Sequence, residues 1–274
     1  MAGIGVRLNK IFGKNTLTTN IIGFFYSALV TVAPMFAIII NLVLMEYFLK
    51  FSTLGYAQRE LFSCTILYTF IFSLLTASPF NAVLSRYISD VIYEERYQDI
   101  LPCYHIGMVL NIALSCLVGI PFCLWEHFIG GVSVAYVFAG FWCYISLVLV
   151  FYSMIYLSIC KDYQRIAQYY GIGMLVAFFL SLFLRYILHW GITQSMLAAM
   201  DAGFFLTAVL ENALIKRYFR KNSNRYKPVL AYFKKYWQLV VTNFLYILGL
   251  YVHNFVFWTT DMKMVVVDSF VCNQ

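Results

Sequence analysis

The chain has 274 residues, of which 62% are apolar and 11% charged, with 26 Phe and 22 Tyr, against about 45–50% apolar and about 25% charged in soluble globular proteins. A mean hydropathy of +0.78 excludes a soluble domain, a disordered segment, a coiled coil and a small disulfide scaffold. The net charge of +7 is then a question of where basic residues sit relative to a membrane, not of nucleic acid.

Residues 1–14 place Ile4, Leu8, Ile11 and Phe12 at helical spacing, with Arg7, Lys10 and Lys14 interleaved. Two readings fit: a short interfacial helix on an anionic inner leaflet, or the ordinary basic flank of a first span. No small-residue cleavage site separates this segment from the span, so it is expected to stay attached.

About 20 apolar helical residues cross the hydrocarbon core, and ionisable groups are costly there, so the gaps between charges mark the spans. Charge-free stretches run from Asn15 to Met45, Leu61 to Ser85, Ile100 to Trp125 and His127 to Cys160, and a shorter one from Ile166 to Leu184 is closed by Arg185. Ile192 to Ile215 is equally apolar but carries Asp201 and Glu211, and Tyr236 to Thr260 completes seven expected spans. Trp125, Trp190, Trp237 and Trp258 fall at the expected helix ends, where tryptophan prefers the membrane boundary, and Trp142 lies inside a span. The fold class is all-α, a polytopic membrane helix bundle.

Fifteen of the nineteen Lys and Arg fall on one side of this map, eight of them between Lys216 and Lys235. The positive side faces the cytoplasm, so the N-terminus is expected inside and the C-terminal tail outside. The chain thus divides into a basic interfacial segment (1–14), a six-helix lobe (15–215), a basic cytoplasmic loop (216–235), and a seventh helix with an external tail (236–274). No internal repeat is readable within the six helices.

Asp201 lies nine residues into the sixth span, ~13 Å below its outer edge and close to the middle of a core of about 30 Å. A carboxylate there is neutral and hydrogen-bonded to a neighbouring helix, or it faces a polar lumen as a cation-, proton- or sugar-contacting group. Glu211, five residues before Lys216, is expected at the interface. Gly107, Asn111, Ser115 and Gly119 repeat every four residues, a face that lets helices approach closely, with Asn111 either interhelical glue or part of a hydrophilic cavity. Pro34, Pro79 and Pro121 interrupt the first three spans or lie near their ends and free carbonyls that need other partners. Arg86 and Asp90 are four apart and can pair on one helix face, while His253 and Asn254 make a polar spot in the seventh span.

No cofactor is expected. Gly13-Lys14 is followed by Asn15, and Leu8 stands where a first P-loop glycine belongs. The seven cysteines form no CxxC pair, and the four histidines have no Cys or Glu at ligand spacing, so neither a metal nor a disulfide role is expected.

Met1-Ala2-Gly3-Ile4-Gly5 with Leu8 and Lys10, the run SPFNAVLSRYISDVIYEERYQDILP from Ser78 to Pro102, and LYILGLYVHNFVFW from Leu245 to Trp258 together resemble the exopolysaccharide Pel transporter family, PelG. The resemblance implies the multidrug, oligosaccharidyl-lipid and polysaccharide flippase superfamily, with two six-helix lobes around a central cavity. This chain then corresponds to the first lobe plus the first helix of a second, as a truncated or split chain.

The resemblance also implies an inner-membrane exporter of a Pel-like polysaccharide, working with a cytosolic glycosyltransferase and membrane regulatory subunits, in contact with lipid and not with nucleic acid. Pro79, Arg86, Asp90, Tyr97 and Pro102 match the family run and are read as gate or cytoplasmic loop structure; Asp201 and Asn111 are the cavity residues read from depth. At Val252-His253-Asn254-Phe255 the family's usual acidic and basic pair is missing. The alternatives are a cation-coupled multidrug antiporter of the same superfamily, and a membrane-embedded transferase, for which the sequence offers no convincing acid–base pair. A seven-helix receptor has the opposite orientation.

Overall fold

The computed structural model describes residues 17–160, 162–220, 222–258, 263–267 and 270–273, with side chains described within 32–257. The expected interfacial segment 1–14 lies outside the described residues. Eight helices follow in order: α1 (Leu17–Phe48), α2 (Tyr56–Tyr93), α3 (Ile100–Phe128), α4 (Val134–Ile159), α5 (Tyr163–Tyr186), α6 (Ile192–Tyr218), α7 (Lys227–Lys235) and α8 (Trp237–Trp258). Single 3-10 turns at Phe51–Thr53 and Tyr97–Asp99 precede α2 and α3.

Six of these helices are long and apolar enough to cross a membrane. They correspond to the second to seventh expected spans. The first expected span is also helical, in the 32-residue α1. The tail departs from the all-α expectation, because Lys263–Val267 (β1) pairs antiparallel with Phe270–Asn273 (β2), Met264 opposite Cys272.

The charge gaps located the helices but misplaced their ends. α2 continues as one helix through Arg86 and Asp90 to Tyr93, and α6 through Lys216 to Tyr218. Charge marks the bilayer edge, whereas the helical hydrogen-bond ladder runs on into water wherever nothing interrupts it. The expected loop 216–235 is likewise partly helical, with Pro228 in the first turn of α7, where its missing N–H leaves no bond unmade. Conversely, α4 begins at Val134 and not at His127, after a turn in which Gly131 takes a φ of 67°.

Small residues set the closest approaches. A Cβ on Gly173 of α5 would lie 2.6 Å from the Gly203 carbonyl oxygen of α6, and one on Gly203 would lie 2.7 Å from the Gly173 carbonyl oxygen. The two backbones therefore cross in direct contact. The ladder on α3 behaves as its spacing predicts: all four residues are buried against α4, where a Cβ on Gly107 would overlap the Tyr152 hydroxyl and one on Gly119 would meet the Phe141 ring at 2.8 Å.

Pro79 shows how a freed carbonyl is satisfied. Its missing N–H leaves the Leu75 carbonyl without its helical donor, and the Ser78 hydroxyl donates to that oxygen at 3.1 Å. The Ser78 carbonyl in turn accepts from the Asn243 amide of α8. Together with the edge-to-face contact of Phe72 and Phe255, this lays α8 along α2. Around the bundle, large apolar side chains such as Phe36, Leu117, Phe138, Leu175 and Phe179 point outward, as a surface solvated by lipid requires.

Cys64, on α2, is disulfide-bonded, contrary to the expectation from cysteine spacing. Sequence spacing detects only local pairs. Cys103, Cys116, Cys123, Cys143 and Cys160 are free.

Candidate functional site

Two groups of polar side chains stand apart from the apolar packing, one within the spans and one at the end of the bundle where α2 meets α7. In the first, α6 carries Asp201, half-buried, whose Oδ1 accepts from the Ser146 hydroxyl of α4 at 2.8 Å. The acid is thus joined to a neighbouring helix while part of its surface stays open. At Met200, the residue before Asp201, α1 and α5 reach the same helix: the buried Asn41 amide lies 3.5 Å from Met174 Sδ and 3.4 Å from Met200 Sδ. The sequence alone does not single out Asn41, because the charge-free stretch that holds it also contains Asn15 and Asn20.

Asn111 is fully enclosed, and its amide donates to the Gly107 carbonyl of its own helix at 2.8 Å, while its Oδ1 is buried with no partner. Among the described residues no hydrogen bond joins it to Asp201. Glu211, further along α6, is completely buried among the helices, with neither carboxyl oxygen partnered. Sequence distance from Lys216 measured its depth along α6, but the helix face decided its surroundings, for Thr207, Ala208, Leu214 and Ile215 are buried around it while Lys216 and Arg217 face out.

Within the spans, the hydrophilic packing between α3 and α4 is made by tyrosines. The Tyr104 and Tyr152 rings stack at 5.4 Å, Tyr152 donates to the Tyr104 carbonyl at 2.8 Å, and the Tyr104 hydroxyl lies 3.0 Å from Ser153 Oγ. Each of these groups is enclosed and already used, so this region holds the helices together.

At the end of the bundle where α2 meets α7, Arg86 and Asp90 pair as their spacing predicts, Nε to Oδ2 at 3.6 Å. Asp90 also accepts from the Tyr232 hydroxyl of α7 at 3.0 Å, and the Arg86 guanidinium lies 5.5 Å above the Tyr236 ring. Tyr232 stands edge-on to the buried Tyr87 of α2. The Tyr232 phenol is held above its ordinary pKa by its burial and then by the bond to Asp90. A second assembly has the same chemistry: Asp162 accepts from the Tyr218 hydroxyl and pairs with Arg165 at 3.3 Å, and Arg165 lies over the Tyr218 ring at 5.7 Å. Pro79 is buried within α2, a few turns above Arg86, and Tyr97 is exposed in the 3-10 turn before α3. The structure therefore brings Arg86 and Asp90 together and leaves Pro79 and Tyr97 apart from them.

These arrangements can hold polar ligands or positions by hydrogen bonds and charge. A family described as "PelG: Putative exopolysaccharide Exporter (EPS-E)" matches residues 1–274. No curated protein matches, and no solved structure does.

Proposed function

We propose, from the premise that this chain belongs to the PelG family of exopolysaccharide exporters, that it exports a Pel-like polysaccharide across the cytoplasmic membrane. The chain is a multi-pass membrane protein, and the match of the whole chain to an exporter family is the observation that carries the reading. Its six-helix part (15–215) forms one wall of a flippase-like cavity, and α8 begins the opposing lobe. Asp201 contacts the sugar hydroxyl or amino groups of the passing polymer, since a half-open carboxyl held by Ser146 is positioned and still reachable. Asn111 reaches polymer only when α3 shifts against α4, because it is enclosed in this state. No covalent chemistry is required. A cytosolic glycosyltransferase supplies the polymer at the basic face, and membrane regulatory subunits complete the system.

The test is a strain deleted for this gene, with secreted and cell-retained polysaccharide measured separately. The proposal expects loss of secreted polymer, restored by this chain together with any partner lobe. Unchanged secretion after deletion would falsify it.

A further inference from the structure

A cavity separate from the polar groups described above opens between the first half of α2, the last turns of α3 and the first half of α4. It contains about 670 Å³ of space, counting the part open to the outside. Six aromatic residues wall it: Tyr68, Phe72, Phe122, Tyr136, Phe141 and Tyr144.

The hydroxyls along this wall are largely committed within the protein. Tyr136 donates to Thr65 Oγ1 at 3.1 Å, Thr65 donates to the Leu61 carbonyl at 2.6 Å, and Tyr144 and Thr76 share a hydrogen bond of 2.6 Å. Glu126 is different. It lines the same cavity, is only 7% exposed, and its Oε2 is buried with no hydrogen-bond partner. The ion pairs among the described residues are made by Arg86, Arg96 and Arg165, and none reaches Glu126.

We propose that the α2–α3–α4 cavity binds a small organic cation with an apolar body, the aromatic rings enclosing the body and Glu126 facing its charge. A buried carboxylate without a counter-charge is costly, and a bound cation supplies the missing partner. Aromatic faces attract ammonium groups through their quadrupoles, most strongly where water is excluded. A neutral saccharide is favoured less, because the ring hydroxyls it would need are already engaged. The site lies within a single lobe and does not depend on the export reading, so either can fail without the other.

The test uses the purified chain in lipid nanodiscs and two probes of like shape and opposite charge, benzyltrimethylammonium and phenylmethanesulfonate. Saturable binding of the ammonium and none of the sulfonate is expected. Glu126→Gln should weaken ammonium binding at least tenfold. Gly140→Leu offers a second variant, since a Cβ there meets only Thr65 Cγ2, at an ordinary 3.6 Å, and the rest of the side chain enters the cavity and should abolish binding. Equal binding of both probes, or unchanged affinity in both variants, overturns the proposal.

Discussion

The carboxyl of Asp201 and the hydroxyl of Ser146 form a contact between helices that can be removed from either side. Asp201→Asn keeps the shape and a hydrogen bond but removes the charge, so secreted polysaccharide should fall at least fivefold while the amount of protein in the membrane stays the same. Full export by Asp201→Asn would remove this residue from the transport path. Gly203→Ala tests packing alone. Its new Cβ would stand 2.8 Å from that of Ala177 and 2.7 Å from the Gly173 carbonyl oxygen, an overpacking of about 1–3 kcal/mol. The purified variant should unfold several degrees lower, and an unchanged Tm would mean that α5 and α6 separate freely. Only Asp201 of these two could be singled out from sequence. An acid at mid-span is conspicuous by composition, and Asp201 was read that way. The crossing of Gly173 and Gly203 is not legible in the sequence, because isolated glycines on two helices form no pattern until the helices are placed side by side.

At the level of elements, α7 is fastened to α2 by Tyr232 and Asp90. Tyr232→Phe should loosen it, and trypsin should then cleave at the lysines and arginines of 216–235 several times faster in the intact chain. An unchanged cleavage rate would show that the buried Val229 and the Tyr87 contact suffice. Because the raised pKa of Tyr232 favours the neutral phenol, its contribution is fully present below the ordinary phenol value and is lost only as pH rises through the folded-state value. Cleavage should therefore be constant through neutral pH and accelerate only in strong alkali. Arg86 with Asp90 was legible because i,i+4 spacing is a local rule. Tyr232 was not, for it lies 142 positions from Asp90 and no local pattern links them.

For the whole molecule, the asymmetry of Lys and Arg fixes an expected orientation, with the segment around Asn224 inside and the turn after α1 outside. Alkaline phosphatase fused after Leu54 should be active and after Asn224 inactive, with a fluorescent protein giving the complementary result; the reverse pattern would invert the topology. The six long apolar helices and their order were readable because hydropathy and charge are summed over some twenty residues, which averages out local detail. The cavity at Glu126 escaped notice for the opposite reason. A single acid beside Trp125 and His127 looks like the end of a span, and only the fold closes six rings from three helices over it.

α2 has 38 residues, or ~57 Å at 1.5 Å per residue, about twice the thickness of the hydrocarbon core. One end of this rod borders the aromatic cavity through Thr65 and Thr69, and the other carries Asp90. Pro79 lies between them and divides the rod into arms of roughly 35 Å and 21 Å. A tilt about that point moves the inner end in the opposite direction to the outer end, by about six-tenths of the distance. The aromatic cavity and the hold on α7 thus lie on opposite arms of one continuous helix.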